Sequence, residues 1–230
     1  KRNPINIRPL IGIKKDYNSK AMGLLLHAYS LMYQRRANEA IKSKIDFLFN
    51  WLLKNRTEGF KHFCWGYNFD WASSEKLLRA YSPTIVVSVF IAKGIIAYYE
   101  TFKDQKSLEV LKSIGQFIKE DLIISEDSSG ICFSYSTIEA DCCYNASMLG
   151  SELFAFLYRE TRIEEYKELA IRSVNFVVDK QKHDGRWNYS IKLETGKERK
   201  QIDFHQGYVI DSLGYVMKYI PSTKEVFMPY

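Results

Sequence analysis

The sequence predicts an all-α protein, an α/α toroid or partial toroid of about three and a half inner and outer helical hairpins. Two observations predict this class. Four helical segments are apolar nearly all round, and three segments between them carry a single apolar stripe. A helix that is apolar on every face is buried between neighbours, whereas a striped helix lies at the surface. Helices of these two kinds in alternation stack as a ring or an arc.

The four apolar segments recur about every 60 residues, which indicates an internal repeat. They begin at Tyr17, Ser82, Cys143 and Phe204, and each is roughly five turns long. We expect them to be the inner helices of the repeat, buried between neighbours and lining the axis.

Three amphipathic segments lie between the inner helices, with apolar stripes that begin at Ile41, Leu108 and Tyr166. Their opposite faces are charged, so we expect outer helices. A segment rich in glycine and aromatic residues follows each of them: EGFKHFCWGYNFDW, SSGICFSYS and DGRWNYS. Glycine ends a helix, and we therefore predict loops or extended segments that lead into the next inner helix.

The length and composition favour one globular domain. The 230 residues are 46% hydrophobic and 15% aromatic, enough for a substantial core. We predict a single domain over residues 1–230, with one part of a larger toroid as the alternative. The net charge of +6 is spread over helix faces without a dense basic stripe, so we expect no nucleic-acid partner.

Two further features bear on the compartment. The four cysteines do not form a dense disulfide pattern, which favours a reducing, cytoplasmic compartment. The most apolar stretch, residues 85–99, is interrupted by Lys93 and is shorter than a bilayer requires, so we predict no membrane span. Lys93 itself snorkels, pairs with an acid or faces an axial cavity.

The predicted topology brings polar residues from distant parts of the chain together. Strict alternation makes all inner helices run in one direction, so the loops that enter them open on one rim. Those loops hold Asp16–Asn18, Asp70–Trp71 with Ser82, Asp141–Asn145 and Asp203–His205. We expect these residues to surround one site.

Asp70, Asp141, Asp203 and His205 are the candidate catalytic residues at this rim. A carboxylate beside a histidine acts as a general base or orients the imidazole. Helix capping is the alternative, because Asp accepts the unpaired N–H groups at a helix start. Carboxylates from different loops, with Glu139 beside Asp141, would supply the pair that glycoside hydrolysis uses at about 5–9.5 Å.

Aromatic residues form the candidate binding surface. Trp65, Tyr67 and Trp71 alternate with other residues, so an extended segment would place their rings on one face. Such a face, with Trp187 and Tyr189 from a later loop, would stack on sugar rings or isoprenoid chains. The alternative is that the rings plug the end of the barrel.

A metal site is the weaker alternative. Cys64, Cys142 or Cys143, and His205 would offer two thiolates and an imidazole to a catalytic zinc. No CxxC or HxxxH spacing supports that set, and no DDxxD or DxDD string supports isoprenoid chemistry. We predict neither a metal nor a cofactor.

One motif resembles a known repeat. The string QKHDGRWNYS, preceded by VNFVVDK, is similar to the repeat of terpene cyclases and related α/α-toroid proteins. Gln181, Gly185 and Trp187 hold the places of the glutamine, glycine and tryptophan that brace the helix junction there. This resemblance implies the fold and a structural role for the motif.

A broader resemblance covers about Gly59 to Leu213. The strings CWGYNFDW, SPTIVVSVF, YNASMLGSEL, DGRWNYS and IDFHQGYVIDSL are similar to those of uncharacterised bacterial exopolysaccharide- and capsule-associated proteins. The resemblance implies a toroid related to six-hairpin glycosidases and polysaccharide lyases, and a carbohydrate context. The matched positions are Trp65, Tyr67, Asp70, Trp71, Asn145, Asp203 and His205.

The sequence therefore supports three hypotheses. The first is a carbohydrate-active protein of bacterial polysaccharide metabolism, a glycoside hydrolase or polysaccharide lyase that takes a polysaccharide or oligosaccharide. The second is a non-catalytic glycan-binding or scaffold protein, which would use the same aromatic residues without paired acids. The third is a zinc-dependent or isoprenoid-type toroid enzyme.

Overall fold

The computed structural model describes residues 7, 10–12, 15–72, 76–201 and 203–230. Its helices are α1 (Ser19–Arg35), α2 (Glu39–Lys54), α3 (Ile85–Phe102), α4 (Gln105–Gln116), α5 (Tyr144–Thr161), α6 (Glu164–Asp179), α7 (His205–Tyr219) and α8 (Lys224–Phe227). Its strands are β1 (Trp71–Ala72), β2 (Leu77–Leu78), β3 (Ile124–Asp127), β4 (Gly130–Phe133), β5 (Cys142–Cys143), β6 (Ser190–Lys192) and β7 (Lys197–Arg199). A π-helical turn, Phe117–Asp121, continues α4, and a 3-10 turn, Pro221–Thr223, precedes α8.

Polar side chains fix the starts of the first four helices. Asn18, Asn38, Thr84 and Asp104 precede α1, α2, α3 and α4, and each accepts a backbone N–H of the first turn at 2.8–3.1 Å. These N–H groups have no partner within the helix, so a capping oxygen stabilises each start.

Inner and outer helices alternate as predicted, which confirms the all-α toroid class. The inner helices α1, α3, α5 and α7 pack side by side in that order. The outer helices α2, α4 and α6 each pack against the inner helix that precedes them. A close approach joins α1 to α3, because a Cβ on Gly94 would lie 2.4 Å from the carbonyl oxygen of Gly23.

The prediction that all four inner helices are buried holds for α3 and α5 and is wrong for α1 and α7. In α1, Leu24, Leu25, Leu31 and Met32 are each 43–50% exposed, and in α7, Ile210 is 57% exposed. The physical reason is position. Among the described elements, α1 packs chiefly on α2 and α3, and the inner helix against which α7 packs is α5. Both helices therefore lie at an end of the arc.

The glycine- and aromatic-rich segments are more regular than the sequence indicated. They contain small antiparallel sheets, with strand orders β1-β2, β3-β4 and β5-β6-β7. The last sheet joins residues far apart in the chain, since Cys142 pairs with Ile191 and Cys143 with Ser190. These sheets hold the loops at the starts of α5 and α7 together.

Among the described helices, α3 alone is long and apolar enough to cross a membrane. It has 18 residues and extends beyond residues 85–99, the apolar stretch that the sequence indicated. It packs against α1, α4 and α5, and 67% of it is buried inside the protein. Buried apolar side chains from Met22 to Phe227 form one cluster around it. The division of residues 1–230 into a single domain stays a prediction.

Candidate functional site

Backbone contacts join the start of each later inner helix to the loop before the next one. The Ile85 N–H donates to the carbonyl of Tyr135 at 3.0 Å, and the Tyr144 N–H donates to the carbonyl of Tyr189 at 3.1 Å. The ring of Tyr189 lies 5.1 Å from that of His205, the first residue of α7. The loops before α3, α5 and α7 therefore meet at the common rim that the sequence predicted.

A cavity of about 410 Å³ opens at this rim, between the β1–β2 hairpin and the β5-β6-β7 sheet. This volume lies in the range of small-molecule sites, about 300–1,000 Å³. Three aromatic residues line it: Trp71, Tyr135 and Tyr189. Cationic and anionic residues line it in equal number: Lys76, Lys192, Lys197 and Arg199, and Glu139, Asp141, Glu194 and Glu198. The lining is thus polar but nearly neutral overall.

Aromatic rings form the wall on the β1–β2 side. The rings of Trp71 and Tyr135 stack with centroids 5.9 Å apart, and the Lys76 ammonium lies 4.9 Å from the Tyr135 centroid. Burial raises the pKa of Tyr135 far above its usual value, so its hydroxyl stays protonated and can donate a hydrogen bond.

Asp141 is held between this wall and the start of α5. One of its carboxylate oxygens accepts the Tyr135 N–H at 2.5 Å, and the other pairs with the ammonium of Lys76. The same ammonium lies 3.4 Å from Glu139. Both carboxylates are thus fixed by one lysine, and their remaining lone pairs can accept hydrogen bonds from a ligand.

Tyr189 and the β6–β7 hairpin form the opposite wall. The Arg199 guanidinium lies 5.0 Å from the centroid of the Tyr189 ring. Glu198, on β7, accepts hydrogen bonds from Tyr144 at 2.9 Å and Asn188 at 2.7 Å, and it pairs with Lys182 at 2.5 Å. This network fixes the hairpin against the start of α5.

Asp203 and His205 lie beside the cavity without lining it. Asp203 accepts the His205 N–H at 2.9 Å and lies 2.6 Å from its Nδ1. A hydrogen bond from Gln201, then those from His205, lower the pKa of Asp203 to about 2. Asp203 therefore contacts both the backbone and the ring of His205 and orients the imidazole, while the residue directly before α7 is Phe204. A catalytic role for the pair stays a prediction.

His205 and Asn145 surround a separate void of about 10 Å³. A void of that size holds about one water molecule rather than a sugar. Asn145 is buried, and its side-chain oxygen accepts a hydrogen bond from the Cys143 thiol at 3.1 Å. Tyr189 borders both spaces and separates His205 from the larger cavity.

The structure corrects the roles predicted for Trp65 and Trp187. Both side chains are buried, with at most 1% of their surface exposed. The Trp65 indole N–H donates to the carbonyl of Leu52 at 3.1 Å, and that of Trp187 donates to the carbonyl of Val177 at 2.7 Å. Both rings brace the end of an outer helix and offer no face to a ligand.

Asp70 and Tyr67 lie on the loop that carries Trp71. Asp70 accepts the Ala80 N–H at 2.8 Å and pairs with Arg79 at 2.8 Å, so it closes the β1–β2 hairpin. The Tyr67 ring stacks on Phe69 with centroids 5.1 Å apart. Burial, and then the nearby Tyr208 on α7, raise the pKa of Tyr67.

The start of α1 reaches the same loop. The side chain of Asn18 donates to that of Asn68 at 3.2 Å, and Asn68 in turn donates to Asp16 at 3.1 Å. All four inner helices therefore contribute their first turn, or the residues before it, to one rim.

The cysteines do not assemble the zinc site that the sequence offered as an alternative. Over residues 7, 10–12, 15–72, 76–201 and 203–230, no group of three or more His, Cys, Asp or Glu side chains is arranged to hold a metal ion. Burial raises the pKa of Cys64 to about 12 and that of Cys143 to about 12.

Sequence reasoning missed Lys76, Glu198 and Arg199 as lining residues. Glu198 and Arg199 belong to a charged run from Lys192 to Lys200. The run could have been recognised as a hairpin, because two charged segments flank a turn at Thr195–Gly196. Nothing in the run indicates the strand against which this hairpin packs.

No family model matches the chain, and no curated protein matches it. Solved structures do match. A glycoside hydrolase family 76 mannosidase from Bacteroides thetaiotaomicron is 14% identical, with a TM-score of 0.68 over 97% of this chain and 60% of its own. A D-mannose isomerase is 14% identical, with a TM-score of 0.70 over 92% of this chain and 56% of its own.

A cellobiose 2-epimerase from Bacillus thermoamylovorans is 15% identical, with a TM-score of 0.61 over 89% of this chain and 58% of its own. This chain therefore spans less than two thirds of the length of these structures. At such identities the likeness shows the fold alone. The chain has the α/α toroid fold of six-hairpin glycosidases.

Proposed function

We propose that the protein binds an oligosaccharide in the rim cavity and takes part in bacterial polysaccharide metabolism. The observation that carries this proposal is the cavity itself, of about 410 Å³, with aromatic walls and balanced charges. Sugar rings stack on aromatic faces through their C–H groups, while their hydroxyls need many donors and acceptors and no net charge.

The roles within the cavity follow from its contacts. Trp71 and Tyr189 lie on opposite walls and provide the stacking faces. Asp141 accepts hydrogen bonds from sugar hydroxyls, because the Tyr135 N–H and Lys76 already fix its orientation. The protonated hydroxyl of Tyr135 donates to a sugar oxygen.

The comparisons support a sugar ligand without identifying it. The similar structures are named as a mannosidase, a mannose isomerase and a cellobiose epimerase, all of which act on sugars. The motif resemblance to exopolysaccharide- and capsule-associated proteins points to a polysaccharide context. We extend both to this chain as a proposal, with hydrolysis or lyase chemistry as the finer hypothesis.

A non-catalytic glycan-binding protein is the second candidate, and one observation favours it. Each candidate carboxylate at the rim already has a basic partner: Arg79 for Asp70, Lys76 for Asp141 and His205 for Asp203. Paired carboxylates that cleave a glycosidic bond must instead face the substrate. The rim is therefore better suited to hold a sugar than to cleave one.

The proposal predicts that Trp71→Ala weakens oligosaccharide binding by about tenfold, because the largest stacking face is lost. Isothermal titration calorimetry with cellobiose and with a linear mannotriose measures this. Tyr158→Ala is the matched control, since Tyr158 is a half-buried aromatic residue in the last turn of α5, far from the rim. We expect the control to bind as the wild type does.

Two results would contradict the proposal. The first is that the wild-type protein binds neither sugar. The second is that Trp71→Ala and Tyr158→Ala bind with the same affinity, which would place the ligand elsewhere.

A further inference from the structure

A second cluster of ionisable groups lies among the inner helices, away from the rim cavity. The Lys93 ammonium lies 2.9 Å from Glu152 and 3.2 Å from Asp211. The Ser212 hydroxyl donates to the same Glu152 oxygen at 3.2 Å. These residues come from α3, α5 and α7, so the cluster joins three neighbouring inner helices.

The cluster has a defined depth. Lys93 and Glu152 are each the ninth residue of their helix, eight residues beyond its start, which corresponds to about 12 Å below the rim. His27 is the ninth residue of α1. The imidazole of His27 therefore lies at the same level as Lys93 and Glu152. Burial, and then the charge of Lys93, lower the pKa of His27 and favour its neutral form.

The cluster is buried on one side and open on the other. The side chains of Glu152 and Lys93 are 3% and 13% exposed, whereas that of Asp211 is 54% exposed. A buried ion pair seldom stabilises a fold more than apolar side chains of similar volume would. Its presence in the centre of the arc therefore indicates a role beyond packing, and Asp211 gives a ligand access to it.

Aromatic rings flank the ammonium. The Lys93 nitrogen lies 5.1 Å from the centroid of Tyr215 and 5.8 Å from that of Phe90. Tyr215 is half-buried, so part of its ring remains available beside Asp211. A sugar at this place would meet an aromatic face, a carboxylate and an ammonium together.

The arrangement of charges selects the chemistry. Because the ammonium lies between the two carboxylates, these cannot flank a glycosidic bond as hydrolysis requires. A carboxylate beside an ammonium suits proton abstraction next to a carbonyl group. The carboxylate takes the proton, and the cation stabilises the oxygen on which negative charge develops.

We propose that Asp211 and Lys93 form a catalytic site for reversible proton transfer at the carbon next to the carbonyl of a reducing sugar. This inference rests on the proposed function, since it assumes a sugar ligand, but it concerns a different place. Asp211 takes the proton from C2 of the open-chain aldose, and the C–H electron pair forms the C1–C2 double bond. The carbonyl electron pair moves to O1, which Lys93 stabilises.

The step needs no other reactant. Return of the proton from Asp211 to C2 restores the aldose. Return to C1, with the hydroxyl proton passing from O2 to O1, gives the ketose. Atoms and electrons balance in both directions.

Glu152 is a positioning residue that acts through Lys93. Burial raises its pKa to about 7, against the opposing charge of Lys93. The groups that face it are Lys93 from α3, and Asp211, Tyr215 and Tyr219 from α7. Above about pH 7 its negative charge holds the Lys93 ammonium in place for O1, so the rate should rise through this pH.

Proton transfer can be followed without knowledge of the natural sugar. The protein is incubated with D-mannose or with cellobiose in D₂O, and the loss of the C2 proton signal is measured by NMR. We expect Asp211→Asn to slow this exchange at least about 100-fold. Asp211→Glu, which keeps the carboxylate, should retain part of the rate.

Asp46→Asn is the matched control. Asp46 is an exposed carboxylate paired with a lysine at 2.7 Å, like Asp211, but it lies on the outer helix α2. We expect it to exchange as the wild type does. Glu152→Gln should lose the rise in rate near pH 7 and should exchange more slowly than the wild type above that pH.

Three outcomes would overturn the proposal. Wild-type protein that binds either sugar without exchange would refute it and leave the rim proposal standing. Exchange by Asp211→Asn within threefold of the wild type would refute it as well. Absence of any sugar binding would refute both proposals together.

Discussion

At the scale of single residues, the same residue type serves opposite purposes at the rim. The Trp71 ring lines the cavity and stacks on Tyr135. The Trp187 ring, by contrast, is buried, and its N–H donates to the Val177 carbonyl at the end of α6. Of these two tryptophans, Trp71 is therefore the one that a ligand in the cavity can contact.

Trp187→Phe tests this assignment. The change removes one of the two donors to the Val177 carbonyl, which keeps the Lys180 N–H at 3.1 Å, and it removes part of a well-packed buried ring. We expect it to lower the free energy of unfolding by about 2 kcal/mol, most of it from the lost packing. For a chain of this size that corresponds to a melting temperature lower by roughly 4–8 °C. Oligosaccharide affinity at room temperature should not change. A loss of affinity without a loss of stability would return Trp187 to the binding surface.

Glu152 gives a pH dependence of stability whose sign can be worked out. Its pKa is raised from 4.5 to about 7 in the folded protein. The contribution to stability is therefore fully present below about pH 4.5 and is lost as the pH rises through about 7. Over this range the free energy of unfolding of Glu152→Gln should fall less steeply than that of the wild type. Urea titrations at several pH values measure this, and equal slopes would contradict the assignment.

The sequence could place the candidate residues in the right loops but could not say which way their side chains face. Trp65 and Trp71 alternate in one segment, and a strictly extended segment would have put both rings on one face. The chain instead bonds the Trp65 indole to Leu52 and buries it. Lys93 was open to three readings, and only the structure shows its two acidic partners.

At the scale of elements, the spacing of the inner helices depends on two glycines. Gly23 on α1 and Gly94 on α3 let the two backbones approach until no Cβ fits between them. On α7, Gly207 and Gly214 have open space where a Cβ would lie. The same residue type is therefore required at one helix and dispensable at the other.

Gly94→Ala should destabilise the protein by about 1–3 kcal/mol, because the new Cβ would overlap the Gly23 carbonyl and push α1 away. Gly214→Ala should instead stabilise it by about 0.4–1 kcal/mol, since alanine narrows the unfolded ensemble without a clash. Chemical denaturation of the two variants measures both. A destabilised Gly214→Ala beside an unaffected Gly94→Ala would refute the close contact of α1 with α3.

The helices could be predicted because the spacing of apolar residues is a local pattern in the sequence. The sheets could not be predicted, because their strands pair over long distances in the chain. The stripes of α2, α4 and α6 and the apolar runs of α3 and α5 appear in the sequence directly. The pairing of Cys142 with Ile191 joins residues nearly fifty positions apart and leaves no local pattern. Because that sheet forms a wall of the cavity, the binding surface was harder to predict than the fold.

At the scale of the whole molecule, the arc unites residues from four repeats at one rim. The inner helices run in one direction, so each repeat contributes a loop to the same opening. The solved structures of this fold are longer, and the chain spans about 56–60% of their length. The exposed apolar faces of α1 and α7 mark the two ends of the arc.

The central claim is that sugars bind at the rim where these loops meet. The most direct test is to titrate isotope-labelled protein with a linear mannotriose and to map which backbone amide signals shift. The account predicts shifts centred on Trp71, Asp141 and Tyr189, around the cavity. Shifts confined to the opposite ends of the inner helices, at Arg35, Phe102 and Thr161, would contradict it.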